Sequence, residues 1–354
     1  MNLDRMRKQI DSIDTKIVRL LDQRAGVSRS IGDYKRKKGE PVYVPDREQR
    51  VLDRIQSLSR GSFPKESLRA VYAEIMSGSL KLEKGPTIAY LGPEFTFAHQ
   101  ASVKKFGRSV RYVPCDSIAD IFTEVENGRC TYGVAPVENS TEGAVYHTLD
   151  SFIDSDLKIC SEVVLRIHLD LLSVSRQFDG IRKIYSHPHV FGQCRTWLEA
   201  NVPQAEMIAV SSTAAAARVA ARNSRSACIA SRLAAVGRLR VLAESIQDNA
   251  SNVTRFLVLS RHDARPTRSD KTSIVFSVKD QPGALHQVLL PFKKRGINLT
   301  KIESRPSKTR RWDYYFFVDI ESHASNSRIA AALKEVEAEC AYLKILGSYP
   351  KSSL

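Results

Sequence analysis

The hydrophobic pattern changes twice along this chain of 354 residues, and each change indicates a different kind of fold. Over about residues 3–84, apolar side chains recur at alternating spacings of four and three, which predicts helices. From Thr87, short β-rich runs alternate with helical stretches, which predicts an α/β sheet covered by helices. From Lys271, the order strand, helix, strand, strand, helix, strand predicts a ferredoxin-like α+β domain. We therefore expect a multidomain chain: an all-α domain at 1–85, an α/β domain at 86–263, a linker at 264–270 and an α+β domain at 271–354.

The first predicted helix has a long apolar seam and is near 35 residues in length. The seam consists of Met6, Ile10, Ile13, Ile17, Leu20, Val27, Ile31 and Tyr34. A break follows at Gly39-Glu40-Pro41, Asp46 with Gln49 predicts an N-cap and capping box for a second helix, and a third helix should run from Pro64 to Glu83. Three helices of unequal length cannot bury such seams alone, so we expect this part to dimerise.

Charged side chains interrupt this seam. Arg24 stands where the spacing requires an apolar residue, and a buried guanidinium needs an anion. An intramolecular ion pair would satisfy a single arginine. However, Lys35 lies on the same face roughly 16 Å further along, so the two could bracket a small ligand. Arg7, about 25 Å from Arg24, could reach that ligand only from an antiparallel partner helix. Ser79 and Glu83, one turn apart, add a hydroxyl and a carboxyl group.

The spacing of Arg7, Arg24, Lys35, Arg47-Glu48 and Ser79-x3-Glu83 resembles that of the all-helical chorismate mutases. The resemblance implies an intertwined dimer in which Arg7 of the other subunit, Arg24 and Arg47 engage the carboxylates of chorismate. It further implies that Lys35 and Glu83 flank the ether oxygen and that Glu48 takes the hydroxyl. The rearrangement needs a fixed conformer and aimed donors, with no metal or cofactor.

Two positions depart from the mutase pattern. Val44 stands where some relatives have Asp, and Glu83 stands where many have Gln. Since a carboxylate cannot donate a hydrogen bond, Glu83 must be protonated to assist the ether oxygen. We therefore expect that burial raises the pKa of Glu83.

The middle part has small polar clusters after four predicted strands. They are Gly92–Thr96, Glu138–Gly143, Ser186-His187-Pro188 and Ser211-Ser212-Thr213. Each could be a helix cap, whereas four around one cleft would form an anion site. His187, His189 and Cys194 lack a closing ligand cluster, so we expect no metal there.

Longer strings in this part resemble prephenate dehydratase. They are Tyr90-Leu91-Gly92-Pro93-Glu94, Gly133-x-x-Pro136-x-Glu138-Asn139-Ser140-Thr141-Glu142-Gly143, Ser186-His187-Pro188-x4-Gln193-Cys194 and Asn252-x-Thr254-Arg255-Phe256. The family has two α/β lobes, similar to periplasmic binding proteins, with the site between them.

The resemblance implies that Thr254 is the essential group at the departing hydroxyl. A free hydroxyl is a poor acid, so Thr254 would relay a proton or orient the leaving oxygen. Glu138 and His187 are candidate proton sources. The expected substrate-binding residues are Asn139, Ser140, Thr141, Arg255 and Phe256. Phe95 departs from the family, which usually has Gly there.

Two strings in the last part resemble the ACT regulatory domain attached to dehydratases. They are Gly283-Ala284-Leu285 and Glu303-Ser304-Arg305-Pro306. The resemblance implies that they border a phenylalanine site between paired domains, where Glu303 meets the ammonium group. A bare dimerisation module is the alternative.

Charge and composition agree with an enzyme acting on small anions. The net charge of +15 suits dianionic substrates or nucleic acid, and the chain lacks a stacking-aromatic or helix-turn-helix signature. Six cysteines without a CxxC pair, a charged first segment and no long apolar run favour a cytoplasmic protein with reduced thiols, without a membrane partner.

Together these features predict a bifunctional enzyme of phenylalanine biosynthesis. It would convert chorismate to prephenate and prephenate to phenylpyruvate, would be inhibited by L-phenylalanine, and would form a homodimer or homotetramer. Two alternatives remain: a dehydratase whose helical domain only regulates or dimerises, and a non-catalytic small-molecule sensor.

Overall fold

A computed structural model describes residues 3–39, 43–61, 63–83, 85–267, 269–279, 281–307 and 314–352. These residues belong to two compact units, Met1–Thr87 with Lys105–Tyr112, and Ile88–Lys104 with Val113–Leu354. The expected break at Glu40-Pro41 lies outside the described residues. Within the described ranges, every helix is too short or too polar to cross a membrane.

The first unit contains three helices, α1 (Leu3–Lys38), α2 (Pro45–Leu58) and α3 (Lys65–Leu82). The apolar seam of α1 is largely exposed: Ile10, Leu20 and Val27 are 57%, 62% and 61% exposed. The expected capping box at Asp46 is wrong. Proline favours the first helical position, so Pro45 begins α2 two residues before the expected start at Arg47, and the buried Asp46 carboxylate pairs with Arg50.

A short segment that follows the first strand also belongs to this unit. The backbone N–H of Ser109 donates to Ser77 Oγ over 3.0 Å, and that of Arg108 donates to Glu74 over 3.3 Å. The ring of Phe106 lies 5.0 Å from that of Tyr43. Segment 105–112 therefore packs against the helices.

The α/β region forms two sheets. The first has the order β2-β1-β3-β11-β5 with β4 beside β3, and the second has the order β10-β6-β9-β7-β8. The bounds are β1 Thr87–Leu91, α4 Phe97–Phe106, β2 Arg111–Cys115, α5 Ile118–Glu126, β3 Tyr132–Asn139, β4 Gly143–Ala144, α6 Tyr146–Asp154, β5 Lys158–Arg166, β6 Asp170–Ser173, β7 Lys183–Ser186, α7 Pro188–Gln193, α8 Arg195–Asn201, β8 Glu206–Ala209, α9 Thr213–Ala220, β9 Ser226–Ala230, β10 Arg240–Ala243 and β11 Val253–Ser260. Because β11 returns to the first sheet after the second is complete, the region has two lobes.

The last region is a four-stranded antiparallel sheet with two helices on one face, and its strand order is β13-β14-β12-β15. The bounds are β12 Asp270–Val278, α10 Ala284–Lys294, β13 Leu299–Pro306, β14 Tyr314–Glu321, α11 Ser327–Glu339 and β15 Cys340–Pro350. The predicted linker, 264–270, extends one residue too far, because its last residue, Asp270, already pairs with Pro350 in the sheet.

The other face of this sheet packs on the first lobe. Val275, Phe317, Leu346 and Tyr349 share one hydrophobic core with residues of that lobe. At Gly347, a Cβ atom would lie 2.2 Å from the backbone oxygen of Ile159, so the backbones of β15 and β5 nearly touch. This α+β domain, Asp270–Pro350, which we call the regulatory-type domain, therefore forms one packed body with the first lobe. The three predicted fold types are confirmed.

Candidate active sites

The helical unit brings together four of the predicted mutase residues, Arg24, Lys35, Ser79 and Glu83. Arg24 on α1 donates a 2.5 Å hydrogen bond to Ser79 Oγ on α3. Glu83, which ends α3, is 7% exposed and lies against Gly32, where a Cβ atom would be 2.7 Å from Glu83 Cγ. The absence of a side chain at Gly32 lets α1 and α3 approach, and it seats the carboxyl group between the helices.

Burial raises the pKa of the Glu83 carboxyl, and the charges of Lys35, Arg24 and Arg36 oppose that rise. Arg36 also donates to the Glu83 backbone oxygen over 2.8 Å. The desolvation effect is the larger one, so Glu83 keeps its proton to a higher pH than an exposed glutamate. This agrees with the donor role that the sequence requires.

Glu48 lies on the first turn of α2, next to Arg47. Its carboxylate accepts a 2.5 Å hydrogen bond from Tyr43 Oη and lies 2.8 Å from Lys105 Nζ. Nothing in the sequence pointed to Lys105, which is 57 positions away. Arg7 is exposed and pairs with Asp4 over 3.7 Å, far from Arg24 on the same helix.

In the α/β region, Thr254 lies on β11 and is 8% exposed. Its register partner on β3 is Asn139, whose amide nitrogen donates to Thr254 Oγ1 over 2.7 Å. The same nitrogen donates to Asn252 Oδ1 over 2.9 Å. Asn139 Oδ1 accepts the backbone N–H groups of Thr141 and Glu142. Asn139 is therefore fully engaged in shaping the loop around Thr254.

The same hydrogen-bonded group reaches the second lobe. Asn252 donates to Gln193 Oε1 over 3.0 Å, and Gln193 donates to Glu142 Oε1 over 3.0 Å. Because Gln193 ends α7, these bonds join the two lobes beside Thr254. Ser140 is tied to β11, since its hydroxyl accepts the N–H of Val253 over 2.9 Å.

His187 is placed near this group by its neighbour His189. The two rings stack at 5.2 Å, and His189 lies 3.2 Å from Glu142. Burial, followed by the charge of His189, lowers the pKa of His187, while Glu142 opposes that shift. A lowered pKa leaves His187 neutral at physiological pH, which weakens it as a proton source.

Two predicted dehydratase residues face away from Thr254. Because neighbouring residues of a strand point to opposite faces of a sheet, Arg255 lies on the face opposite to Thr254. Glu138 of β3 is the register partner of Arg255 and therefore lies on the same face as Arg255. Glu138 pairs with Lys301 of β13 over 2.9 Å. The predicted role of Glu138 as proton source is therefore corrected: it contacts the regulatory-type domain.

Arg255 is likewise corrected, because its guanidinium already has partners. It bonds Glu162 over 2.7 Å, Asp319 over 2.5 Å and the hydroxyl of Tyr349 over 2.8 Å. Lys271 pairs with Glu162 over 3.0 Å, which completes a buried cluster of two cations and two carboxylates. These partners raise the pKa of Arg255 against the effect of burial. Arg255 thus joins the first lobe to the regulatory-type domain.

Two phenylalanines also differ in role. Phe256 is 2% exposed and belongs to the core, so it does not offer a surface to substrate. Phe95 has φ +72°, in the left-handed region that favours glycine, which accounts for the glycine usual at this position in the family. The backbone oxygen of Phe95 accepts from Ser231 over 3.2 Å, a further link between the lobes.

Two of the four predicted anion clusters are ordinary helix caps. Ser212 Oγ accepts the N–H of Ala215, and Thr96 Oγ1 accepts the N–H of His99. Within the described part of the chain, no group of three His, Cys, Asp or Glu side chains is arranged to hold a metal ion.

The predicted effector residues divide between two regions. Gly283, with φ +79°, precedes α10, Ala284 is buried, and Leu285 packs toward the helical face of the sheet. On β13, Glu303 and Arg305 alternate with Ser304 and Pro306, so the two pairs lie on opposite faces. Arg305 bonds both oxygens of Asp150 at 3.0 and 2.8 Å and covers the ring of Tyr146. Arg305 therefore contacts the dehydratase-type lobe.

Cationic side chains in the helical unit, a hydrogen-bonded polar group between two α/β lobes and an attached α+β domain are features of a multidomain metabolic enzyme that acts on small anions. Three family models match successive parts of the chain: chorismate mutase type II over residues 6–84, prephenate dehydratase over residues 88–264, and the ACT domain over residues 272–338.

Full-length relatives give the same result. The chain is 50% identical to a bifunctional chorismate mutase/prephenate dehydratase of Aquifex aeolicus, covering 99% of both chains, and 45% identical to one of Stutzerimonas stutzeri, covering 99% and 98%. A crystal structure of prephenate dehydratase from Arthrobacter aurescens in complex with L-Phe is 35% identical, with a TM-score of 0.69 over 75% of this chain and 90% of that one.

The chain belongs to the bifunctional chorismate mutase/prephenate dehydratase family. It is an enzyme that converts chorismate to prephenate and prephenate to phenylpyruvate. The family predicted from the sequence, with its mutase, dehydratase and ACT parts, is confirmed.

Proposed function

We propose that the helical domain, residues 1–85, rearranges chorismate with Arg24 and Arg47 on its carboxylates. Lys35 and protonated Glu83 flank the ether oxygen, where negative charge grows as the bond to carbon breaks, and Glu48 accepts the substrate hydroxyl. Ser79 orients Arg24 through their hydrogen bond. The supporting observation is the Glu83 carboxyl, whose pKa is raised by burial although Lys35 and Arg24 lie close to it.

The mutase site is complete only in a homodimer under this proposal. Arg7 cannot reach Arg24 of its own helix, which is about 25 Å away. The exposed seam of α1, which includes Ile10, Leu20 and Val27, is an apolar stripe of the kind that pairs with a second helix. A second copy running antiparallel would cover that seam and bring its Arg7 to the site. Sedimentation at low concentration tests this, and an active monomer would contradict it.

For the dehydratase, residues 86–263, we propose that Thr254 directs its hydroxyl proton at the departing hydroxyl of prephenate. Carbon dioxide leaves from the opposite ring carbon, the bonding electrons flow into the aromatic ring, and the departing oxygen takes a proton to leave as water. Ser140 and the Thr141 hydroxyl are the proposed substrate contacts, because the Thr141 N–H already donates to Asn139. His187, in its less populated protonated form, is the proposed source of the proton that the departing oxygen takes. The burial of Thr254 between the lobes supports the assignment.

The variant Thr254→Ala tests the dehydratase assignment. We expect kcat for prephenate to fall about 10²- to 10⁴-fold, the range for a lost proton-transfer group, with KM changed little. Chorismate consumption by the same variant is the internal control for folding. Intact turnover with weakened binding would contradict the role.

We propose that the ACT domain, residues 271–354, binds L-phenylalanine and inhibits the dehydratase. The structure from Arthrobacter aurescens, in complex with L-Phe, supports this proposal. Gly283, Ala284, Leu285, Glu303, Ser304 and Pro306 are the proposed effector contacts, completed by a second copy. Calorimetry of the full chain should detect L-phenylalanine binding; its absence would remove the regulatory role without affecting either catalytic assignment.

We further propose a cytoplasmic location. The named relatives are enzymes of two consecutive metabolic steps, which supports this proposal. Burial also raises the pKa of Cys194 to about 12 and that of Cys115 to about 11, so these thiols stay protonated, which agrees with reduced cysteines. Cell fractionation tests the location.

A further inference from the structure

Thr254 lies at one end of a hydrogen-bond chain, a series of side-chain amides whose hydrogen bonds all run in one direction. The chain runs from Glu142 through Gln193, Asn252 and Asn139 to Thr254, with donor–acceptor distances of 3.0, 3.0, 2.9 and 2.7 Å. Asn252 is 1% exposed and Thr254 is 8% exposed, so solvent cannot easily replace these partners. An amide has one donating and one accepting end, so the direction of one bond constrains the next.

The Glu142 end imposes one direction. An ionised carboxylate only accepts hydrogen bonds, so the amide nitrogen of Gln193 must face Glu142. Gln193 then presents its oxygen to Asn252, which must offer its nitrogen. The oxygen of Asn252 is thereby left to accept from Asn139.

The Asn139 end imposes the same direction independently. Two backbone N–H groups, those of Thr141 and Glu142, donate to Asn139 Oδ1 at 2.9 and 3.0 Å. Backbone N–H groups are donors only, so the amide nitrogen of Asn139 must point to the other side, toward Thr254 and Asn252. The two ends agree, and no reversed arrangement satisfies both.

The consequence falls on the hydroxyl of Thr254. Since Asn139 donates to Oγ1, that oxygen is an acceptor on this side and must direct its own proton elsewhere. We propose that Asn139, Asn252, Gln193 and Glu142 are positioning residues that make Thr254 a hydrogen-bond donor toward the leaving oxygen of prephenate. This inference rests on the proposed role of Thr254 and replaces direct carboxylate binding by Asn139.

The chain also links substrate chemistry to the arrangement of the two lobes. Gln193 belongs to the second lobe, whereas the other four residues belong to the first. The direction is imposed from the Glu142 end only while Gln193 bridges Glu142 and Asn252. Thr254 is therefore fully oriented when the lobes are in contact.

A pair of isosteric variants tests the direction. In Asn139→Asp, the new carboxylate cannot donate, so Thr254 must turn its proton toward residue 139. In Asn252→Asp, the donor to Gln193 is lost, but the carboxylate still accepts from Asn139. The N–H groups of Thr141 and Glu142 still fix the direction of Asn139, so the orientation of Thr254 is kept. Both variants add a negative charge at neighbouring positions, 2.9 Å apart in the native bond, so they match in charge and size.

We expect kcat for prephenate to fall at least about 100-fold in Asn139→Asp and less than about tenfold in Asn252→Asp, with KM within about threefold in both. Equal losses in the two variants would overturn the inference, because charge rather than direction would then explain them. Thr254→Ala is measured in parallel: if it keeps turnover, the proposed role of Thr254 fails instead.

A third variant covers the case in which Asn139→Asp does not fold. Gln193→Met is uncharged, has similar size and removes both bonds across the lobes. We expect kcat for prephenate to fall about tenfold with unchanged KM, while the chorismate reaction stays normal. An unchanged kcat in Gln193→Met would contradict the proposal that the hydrogen-bond chain orients Thr254.

Discussion

The buried charge cluster behind Thr254 offers a quantitative test of how the ACT domain is attached. Asp319 of β14 bonds Arg255 of β11 over 2.5 Å, and the two side chains are only 8% and 13% exposed. In Asp319→Asn, the shape is kept and Ser273 can still donate to the oxygen of residue 319. The charge balance changes, however: Arg255 and Lys271 would then share Glu162, with Glu138 as a more distant partner 3.7 Å from Arg255.

The expected cost follows from this imbalance. Removing one partner of a buried ion pair costs about 3–5 kcal/mol, and the retained hydrogen bond places Asp319→Asn at the lower end, about 3 kcal/mol. For a body of this size, each kcal/mol lowers Tm by about 2–4 °C, so the loss is about 6–12 °C. Differential scanning calorimetry of the full chain measures it.

The same domain supplies a matched control. Glu335 pairs with Arg295 at the surface, where the two side chains are 48% and 24% exposed. Exposed pairs contribute about 0–1 kcal/mol, so Glu335→Gln should shift Tm by at most about 4 °C. If Asp319→Asn and Glu335→Gln gave equal shifts, the buried cluster would not hold the domains together, and the reasoning would be refuted.

Three further predictions concern the helical unit. Burial raises the pKa of Glu83, and its donating, protonated form is lost as pH rises through that pKa. Mutase activity should therefore fall at high pH, and Glu83→Gln should flatten the profile of activity against pH. Identical profiles for the native chain and the variant would refute the donor role. Lys105→Met should lower mutase kcat/KM about tenfold by releasing Glu48, with Lys105→Arg restoring most of it and prephenate turnover unchanged in both. Gly32→Ala should impair mutase activity by displacing the Glu83 carboxyl. Gly26 has open space around it, so Gly26→Ala should stabilise α1 by up to about 1 kcal/mol in thermal unfolding. Equal effects of the two variants on activity and on thermal unfolding would contradict the close packing at Gly32.

Much of the mutase site was predictable because helical geometry is regular. The sequence separation of Arg24 and Lys35 gives their position on one face, and Ser79 and Glu83 follow from a single turn. Lys105 was not predictable, because its contact with Glu48 depends on tertiary packing of a segment from beyond the third helix.

The strands show where a sequence motif misleads. Thr254 and Arg255 are neighbours in one sequence string, yet strand alternation places them on opposite faces of the sheet, which the resemblance alone does not show. Strand β5 has a weak sequence signal because Glu162 interrupts its apolar run. Its carboxylate is buried only because Arg255 and Lys271 neutralise it. Such long-range pairing leaves no local pattern.

The most direct test of two separate sites in one chain is a time course with chorismate as the only substrate. The native chain should yield phenylpyruvate, Arg24→Ala should leave chorismate unconsumed while still converting added prephenate, and Thr254→Ala should accumulate prephenate. Prephenate formation by Arg24→Ala at the native rate, or phenylpyruvate formation by Thr254→Ala at the native rate, would contradict the account.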